Sequence, residues 1–333
     1  MSATPEKKPK LTTSAMIASI AGAGQRTKSA PFGHALAALA QTRADIVGLT
    51  ADLAKYTDLH IFAKAHPDRF YQMGMAEQLL MMAAAGMAKE GFVPFATTYA
   101  VFAARRTYDF IHQTAGEENL NVKVVCALPG LTTGYGPSHQ ATDDLAIFRA
   151  MPNLTIVDPC DALDIEQAVP QIAAHPGPVY MRLLRGEVPL VLDEYDYCFE
   201  LGKAKVLRDG ADALIVSSGF MTMRALETAK LLAADGVDVA VLHCPTIKPL
   251  DAEVILREAS HAGRMVIVAE NHSLIGGLGE AVASLLMRAN VRPSAFHQIA
   301  LPDAYLDAGA LPTLHERYGI SAAAMARSLR SWL

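Results

Sequence analysis

Short apolar runs rich in Val, Ile and Leu alternate along this chain with longer stretches whose apolar residues recur every three or four positions. Asp45-Ile-Val-Gly-Leu-Thr50, Arg69 to Met75, Val122 to Ala127, Leu154 to Val157 and Val179 to Leu183 read as strands. Helices are predicted over Ala76 to Lys89, Ala100 to Ala115, Asp143 to Ala150 and after Asp161. Strands spaced by helices specify a mainly parallel α/β sheet.

The segment from Gly186 to Gly202 breaks this rhythm with Pro189, several acids and two tyrosines, and reads as a linker. A second α/β unit follows, with strands at Ala213 to Ser217, Val237 to Leu242 and Met265 to Ala269. Its helices are predicted over Phe220 to Ala234, Asp251 to Ser260 and Gly279 to Ala289. The expected organisation is an N-terminal arm (1–24), a first domain (25–186), a linker (187–202) and a second domain (203–333).

Composition narrows the class. Hydrophobic residues make up 51% of the 333 positions and charged residues 19%, enough apolar material for substantial cores. A net charge of -5 offers no basic surplus for nucleic acid. The four cysteines contain no Cys-x-x-Cys pair, so neither a zinc site nor a disulfide framework is expected. The polar stretch Met1 to Leu11 lacks the apolar core of a signal peptide, and no apolar run is long enough to span a membrane. The expectation is a cytoplasmic protein with a loosely held arm before Thr12.

Two glycine motifs mislead. Gly22-Ala-Gly-Gln-Arg-Thr-Lys-Ser29 has Thr27 where a phosphate loop needs glycine. Gly276-Gly-Leu-Gly279 lacks the full dinucleotide spacing and reads as an ordinary strand-to-helix turn.

Three other segments carry chemistry. In Gly74-Met-Ala-Glu-Gln78, Glu77 stands at the head of an apolar helix, either as a helix-terminal charge or as a desolvated carboxyl able to share a proton with a ligand nitrogen. Phe95, Tyr99 and Phe102 fall at spacings of four and three, a helical core stripe or a platform for a flat heteroaromatic ring. Gly134-Tyr-Gly-Pro-Ser-His-Gln140 presents His139 on a Gly/Pro loop, a good setting for an acid/base group. No metal-ligand set accompanies it.

Taken in order, these segments resemble the pyrimidine-binding domain of the transketolase family, and the resemblance extends from about Gln25 to the C-terminus. Tyr71-Gln-Met-Gly-Met-Ala-Glu-Gln78 and Asp143 to Pro152 carry it in the first domain. Thr246-Ile-Lys-Pro-Leu-Asp251 and Glu270 to Gly279 carry it in the second. The resemblance implies a thiamin-diphosphate fold followed by a transketolase C-terminal-like α/β domain. It implies that Glu77 hydrogen-bonds the pyrimidine nitrogen of thiamin diphosphate and so promotes deprotonation of the thiazolium carbon. It also implies that Tyr99 and Phe102, backed by Phe95, hold the pyrimidine ring, with Asp52 at the mouth of the cofactor cleft. His139 would face the substrate, and Arg26, Arg185 and Arg182 would bind the phosphate end of a sugar.

The chain departs from the family in the sugar-reading positions. Tyr135 stands where the family has an aspartate that recognises a sugar hydroxyl. A histidine expected near Ala127 or Leu128 and a serine expected near Tyr56 are absent. The family's magnesium and diphosphate motif, Gly-Asp-Gly followed by Asn, is absent too: the sequence contains no Gly-Asp-Gly. The expectation is therefore one subunit of a split transketolase, silent alone. A partner subunit with the diphosphate-binding domain would supply the Mg2+ ligands, and self-association through a two-fold would give a heterotetramer. The alternatives are the β subunit of a 2-oxo-acid dehydrogenase or related ketol synthase, and a non-catalytic assembly subunit.

Overall fold

The computed structural model describes residues 20–22 and 24–333, so the expected arm before Thr12 lies outside the described residues. The first part of the chain runs β1 (Thr27–Ser29), α1 (Pro31–Leu39), β2 (Ile46–Thr50), α2 (His60–Ala65), β3 (Phe70–Gln72), α3 (Glu77–Lys89), β4 (Val93–Tyr99), α4 (Ala100–Ile111), β5 (Lys123–Ala127), α5 (Asp144–Arg149), β6 (Thr155–Val157), α6 (Ala162–Ala174) and β7 (Val179–Leu183). After β8 (Glu187–Pro189) come β9 (Lys205–Arg208), β10 (Ala213–Ser217), α7 (Met221–Ala233), β11 (Val239–His243), β12 (Thr246–Lys248), α8 (Ala252–Ala259), β13 (Met265–Ser273), α9 (Leu278–Arg288), β14 (Phe296–Leu301), α10 (Leu311–Arg317) and α11 (Ala322–Trp332).

Two main sheets result. The first has the order β12-β6-β7-β5-β4-β2-β3 and the second β14-β13-β10-β11-β9. All neighbours are parallel except β12 with β6 and β9 with β11. Strands β2, β4, β5, β7, β10 and β11 are buried at every residue, as strands covered by helices on both faces must be. The Asp161 carboxylate accepts a hydrogen bond from the Asp164 amide at 3.0 Å and so caps α6. Among the described residues no helix is long and apolar enough to cross a membrane.

Several expectations need correction. The aromatic stripe is not helical: Phe95 and Tyr99 lie on β4 and only Phe102 lies on α4. The predicted strand from Arg69 to Met75 shrinks to Phe70–Gln72. The α4 helix ends at Ile111 and a π turn continues it to Gly116. The expected linker is structured at its start, where β8 pairs antiparallel with β1.

The two domains share a buried seam. β12, from beyond the linker, adds antiparallel to β6 at the edge of the first sheet. Arg182 is fully buried beside it, 2.6 Å from Asp144 and 3.4 Å from Asp158. Burial raises the Asp144 carboxyl, but the Arg182 guanidinium outweighs it and holds Asp144 below its ordinary range. Ser218 of the second domain donates to Asp158 at 2.9 Å, which ties the network across the seam.

Candidate active site

In an open parallel sheet, ligands collect beyond the carboxyl ends of strands where the strand order reverses. Here the chain steps from β2 outward to β3, then back across β2 to β4, so the reversal lies between β2 and β4. A cleft of about 470 Å³ opens there, lined by Asp52, Tyr56, Met75, Glu77, Tyr99, Phe102, Arg106, Tyr135, Ser138 and His139, with Leu53 completing the wall. Each wall follows a strand end: Asp52 follows β2, Glu77 follows β3, Tyr99 ends β4 and His139 follows β5.

Glu77 begins α3 and is buried. Its Oε1 accepts from Arg106 Nη1 at 2.6 Å. The same guanidinium lies over the Phe102 ring, with Cζ 3.8 Å from the ring centroid. Arg106, one helical turn after Phe102, is half exposed, so solvent screens this pair. Tyr99 and Phe102 meet at 5.6 Å between centroids, and the His139 ring stands edge-on to Phe102 at 5.5 Å and to Tyr135 at 5.3 Å.

Burial, and then the Arg106 charge, lower the His139 pKa, so the ring stays neutral further into acid than free histidine. Ser138 Oγ lies 2.9 Å from Nδ1; with the hydroxyl donating there, the ring carries its proton on Nε2. The Tyr135 hydroxyl is buried and has no hydrogen-bond partner among the described residues.

The loop that carries His139 is held from two sides. From α4, Arg105 donates to the Asp143 carboxylate at 2.9 Å and to the Pro137 carbonyl at 3.2 Å. From the second domain, Asn271 Oδ1 accepts from the Leu131 amide and the Gly309 amide donates to the Gly134 carbonyl. Glycine is required at 134, where a Cβ would meet the Gly309 oxygen at 2.0 Å, and favoured at 136, where φ is +85°.

The set fits an aminopyrimidine. A flat, N–H-bearing guanidinium already satisfies the Glu77 carboxylate while resting on the Phe102 face, and an aminopyrimidine presents the same combination of flat ring and nitrogens. Among the described residues no group of three His, Cys, Asp or Glu side chains is arranged to hold a metal ion.

Comparison with known proteins decides the family. The sequence matches the family "Transketolase, pyrimidine binding domain" over residues 25–191 and "Transketolase, C-terminal domain" over residues 202–325. The chain belongs to the transketolase family. It is 71% identical over 98% of its length to a putative uncharacterized transketolase family protein of Sinorhizobium fredii, covering 95% of that protein. It is 38% identical over 85% of its length to a 6-deoxy-6-sulfo-D-fructose transketolase subunit of a Clostridium strain, covering 87% of it. Among solved structures, a split-gene transketolase described as an inactive β4 tetramer superposes with a TM-score of 0.83 at 40% identity, over 92% of this chain and 98% of that one.

Against the family's expected site, the structure brings Asp52, Glu77, Tyr99, Phe102, Tyr135 and His139 into one cleft. Arg185 lies just beyond β7, with Cζ 5.5 Å from the ring centroid of Tyr56 on the cleft wall. Three expected residues are elsewhere. Phe95 is fully buried in the core, where its ring faces Phe32 at 6.2 Å. Arg182 is locked in the interdomain network and is not among the residues that line the cleft. Arg26 pairs with Asp193 at 2.7 Å and Glu194 at 2.9 Å and lines a separate surface groove. Sequence reasoning missed Tyr56, Met75, Arg105 and Arg106. The signal for Arg106 was available: it falls four residues after Phe102, and residues at that spacing share a helix face.

Proposed function

We propose that this chain supplies the pyrimidine-binding and substrate-reading half of a thiamin-diphosphate-dependent transketolase that moves a two-carbon ketol unit between sugars or sugar phosphates. The observation that carries this reading is the buried Glu77 carboxylate facing the cleft beside the Phe102 ring. When bound, thiamin diphosphate supplies the carbon nucleophile. Glu77 exchanges its Arg106 partner for a pyrimidine nitrogen and holds a proton there. Phe102 and Tyr99 pack the ring and keep water from it. The neutral His139 moves a proton at a substrate oxygen, and Arg185 receives the anionic end of the sugar.

A partner subunit with the Gly-Asp-Gly motif would complete the site and supply the ligands for Mg2+. Support for such an assembly comes from α3. Leu79 and Met82 on α3, with Met75 just before it, form an exposed apolar row beside the cleft. Gly86 continues the row, and a Cβ there would touch nothing among the described residues. Glycine inside a helix costs roughly 1 kcal/mol relative to alanine, a cost that close approach of another backbone explains. We assign this row to subunit contacts, with two such chains and two partners in the complete enzyme. The altered sugar-reading loop, with Tyr135 in place of aspartate, and the sulfofructose transketolase relative both favour an unusual ketose donor.

The experiment is reconstitution with the partner, followed by hydrogen–deuterium exchange at the cofactor C2 and a coupled ketol-transfer assay. In Glu77→Gln both rates should fall by at least about a hundredfold, because an amide cannot exchange the carboxyl proton. C2 exchange at the parent rate in that variant would contradict the reading.

A further inference from the structure

A second cleft, of about 310 Å³, lies where the domains meet on the β12 side. It is lined by Arg149 at the end of α5, Lys248 on β12, and Ser284 and Arg288 on α9, with Ile247, Leu250, Ala281 and Leu285 as apolar walls. Its lining thus holds three cations and no carboxylate.

The donors are only partly used. Lys248 Nζ donates to the carbonyls of Arg149 and Met151, and Arg149 Nη1 donates to those of Gly276 and Gly277. Those partners are neutral. They leave Arg149 Nε and Nη2, the third Lys248 N–H and the whole exposed Arg288 guanidinium without hydrogen bonds among the described residues. Burial holds Arg149 and Lys248 below their ordinary pKa values, and Arg149 pushes Lys248 down further. The carboxylates of Glu270 and Glu280 act on Arg149, but they are spent on backbone amides of the Gly276–Gly279 turn. Positive charge concentrated in a concave site with free donors is the condition for binding an anion.

We propose that this interdomain cleft binds a phosphate group, either free or as the monoester of a small polyol whose carbon chain lies along Leu250 and Leu285. The phosphate would bridge Arg149 of the first domain to Lys248 and Arg288 of the second. The proposal stands apart from the ketol-transfer cleft and does not depend on its chemistry.

Calorimetry and thermal unfolding of the full chain, with inorganic phosphate against chloride at matched ionic strength, provide the test. Binding should saturate, and Arg288→Glu should weaken it about tenfold or more, since it removes one charge-assisted contact and adds a like charge. Lys64→Glu, the same charge reversal on α2 outside the cleft, should leave it unchanged. Glycerol phosphate binding tighter than phosphate would identify an ester as the ligand, and equal binding would identify free phosphate. Either result supports the site. No saturable binding, or equal weakening in Lys64→Glu and Arg288→Glu, would overturn it.

Discussion

At the scale of the residue, Tyr135 carries the sharpest consequence. A carboxylate at this position accepts a hydrogen bond from a sugar hydroxyl. A phenol fills space, bonds more weakly and can donate. Tyr135 lines the cleft with its ring edge-on to His139, and its buried hydroxyl has no hydrogen-bond partner among the described residues. In the reconstituted enzyme, Tyr135→Asp should shift relative activity toward ordinary ketose phosphates while cofactor affinity stays the same. A donor ranking identical to the parent's would mean that position 135 does not face the sugar. Arg182 illustrates the opposite case. It sits on β7 two residues after Tyr180, so both side chains share one face of the sheet and both bond Asp144. Removing Arg182 would bury two carboxylates without their cation, a change in folding rather than in catalysis.

At the scale of the element, α3 joins the cleft to the outside. Its buried face carries Glu77, Leu80, Met81, Ala84 and Ala85, and its outer face carries Leu79, Met82 and Gly86. Burying a side chain such as Leu79 or Met82 in a contact stabilises it by about 1.5–3 kcal/mol. Met82→Glu should therefore disperse assemblies of this chain in sedimentation experiments, while the folded subunit changes by no more than about 0.5 kcal/mol. Unchanged sedimentation would remove this face from the interface.

The elements also explain which parts of the architecture were legible in advance. β7 and β10 were read to the residue because each is a short β-rich run bounded by clear breaks in the pattern, and Arg182 alone interrupts the apolar character of β7. β4 was missed because Phe95, Tyr99 and Phe102 happen to follow helical spacing across a strand-to-helix junction. That junction also separates their fates, since Phe95 turns into the core while Tyr99 and Phe102 reach the cleft. The strands β1, β8 and β12 are three residues each, too short to leave a period. Arg26 and Arg182 were placed at the site by similarity of sequence alone; their partners, Asp193 and Asp144, become visible only once the chain is folded.

At the scale of the whole molecule, the second domain braces the loop of the first that carries His139. His315 on α10 lies 2.8 Å from the Leu131 carbonyl, through Nε2. Burial lowers its pKa to about 4. An unfolded histidine titrates near 6.5, so between these values the unfolded chain binds a proton that the folded chain does not. The stability this residue contributes is full above pH 6.5 and is lost as pH falls toward 4. Urea unfolding of the parent and of His315→Gln, which retains a donor for Leu131, isolates this effect. Other groups, including His272 with the same sign and Glu270 with the opposite one, cancel in the comparison. Between pH 7 and pH 4.5 the parent should lose about 2–3 kcal/mol more than the variant. Equal losses would mean that His315 is protonated in the folded chain.

Under the proposed function, this chain holds one half of a cofactor site. In that reading its residues would address the pyrimidine ring and the substrate, while the sequence has no Gly-Asp-Gly for the diphosphate, the most charged part of the cofactor. Binding a diphosphate without a metal and its ligands forfeits most of the electrostatic stabilisation. The direct measurement is calorimetric titration of the purified chain with thiamin diphosphate and magnesium, alone and with the partner subunit, paired with the ketol-transfer assay. The chain alone should bind weakly, with no improvement by magnesium, and show no turnover, and the partner should restore both. Tight, magnesium-dependent binding with turnover in the absence of any partner would contradict the proposed function.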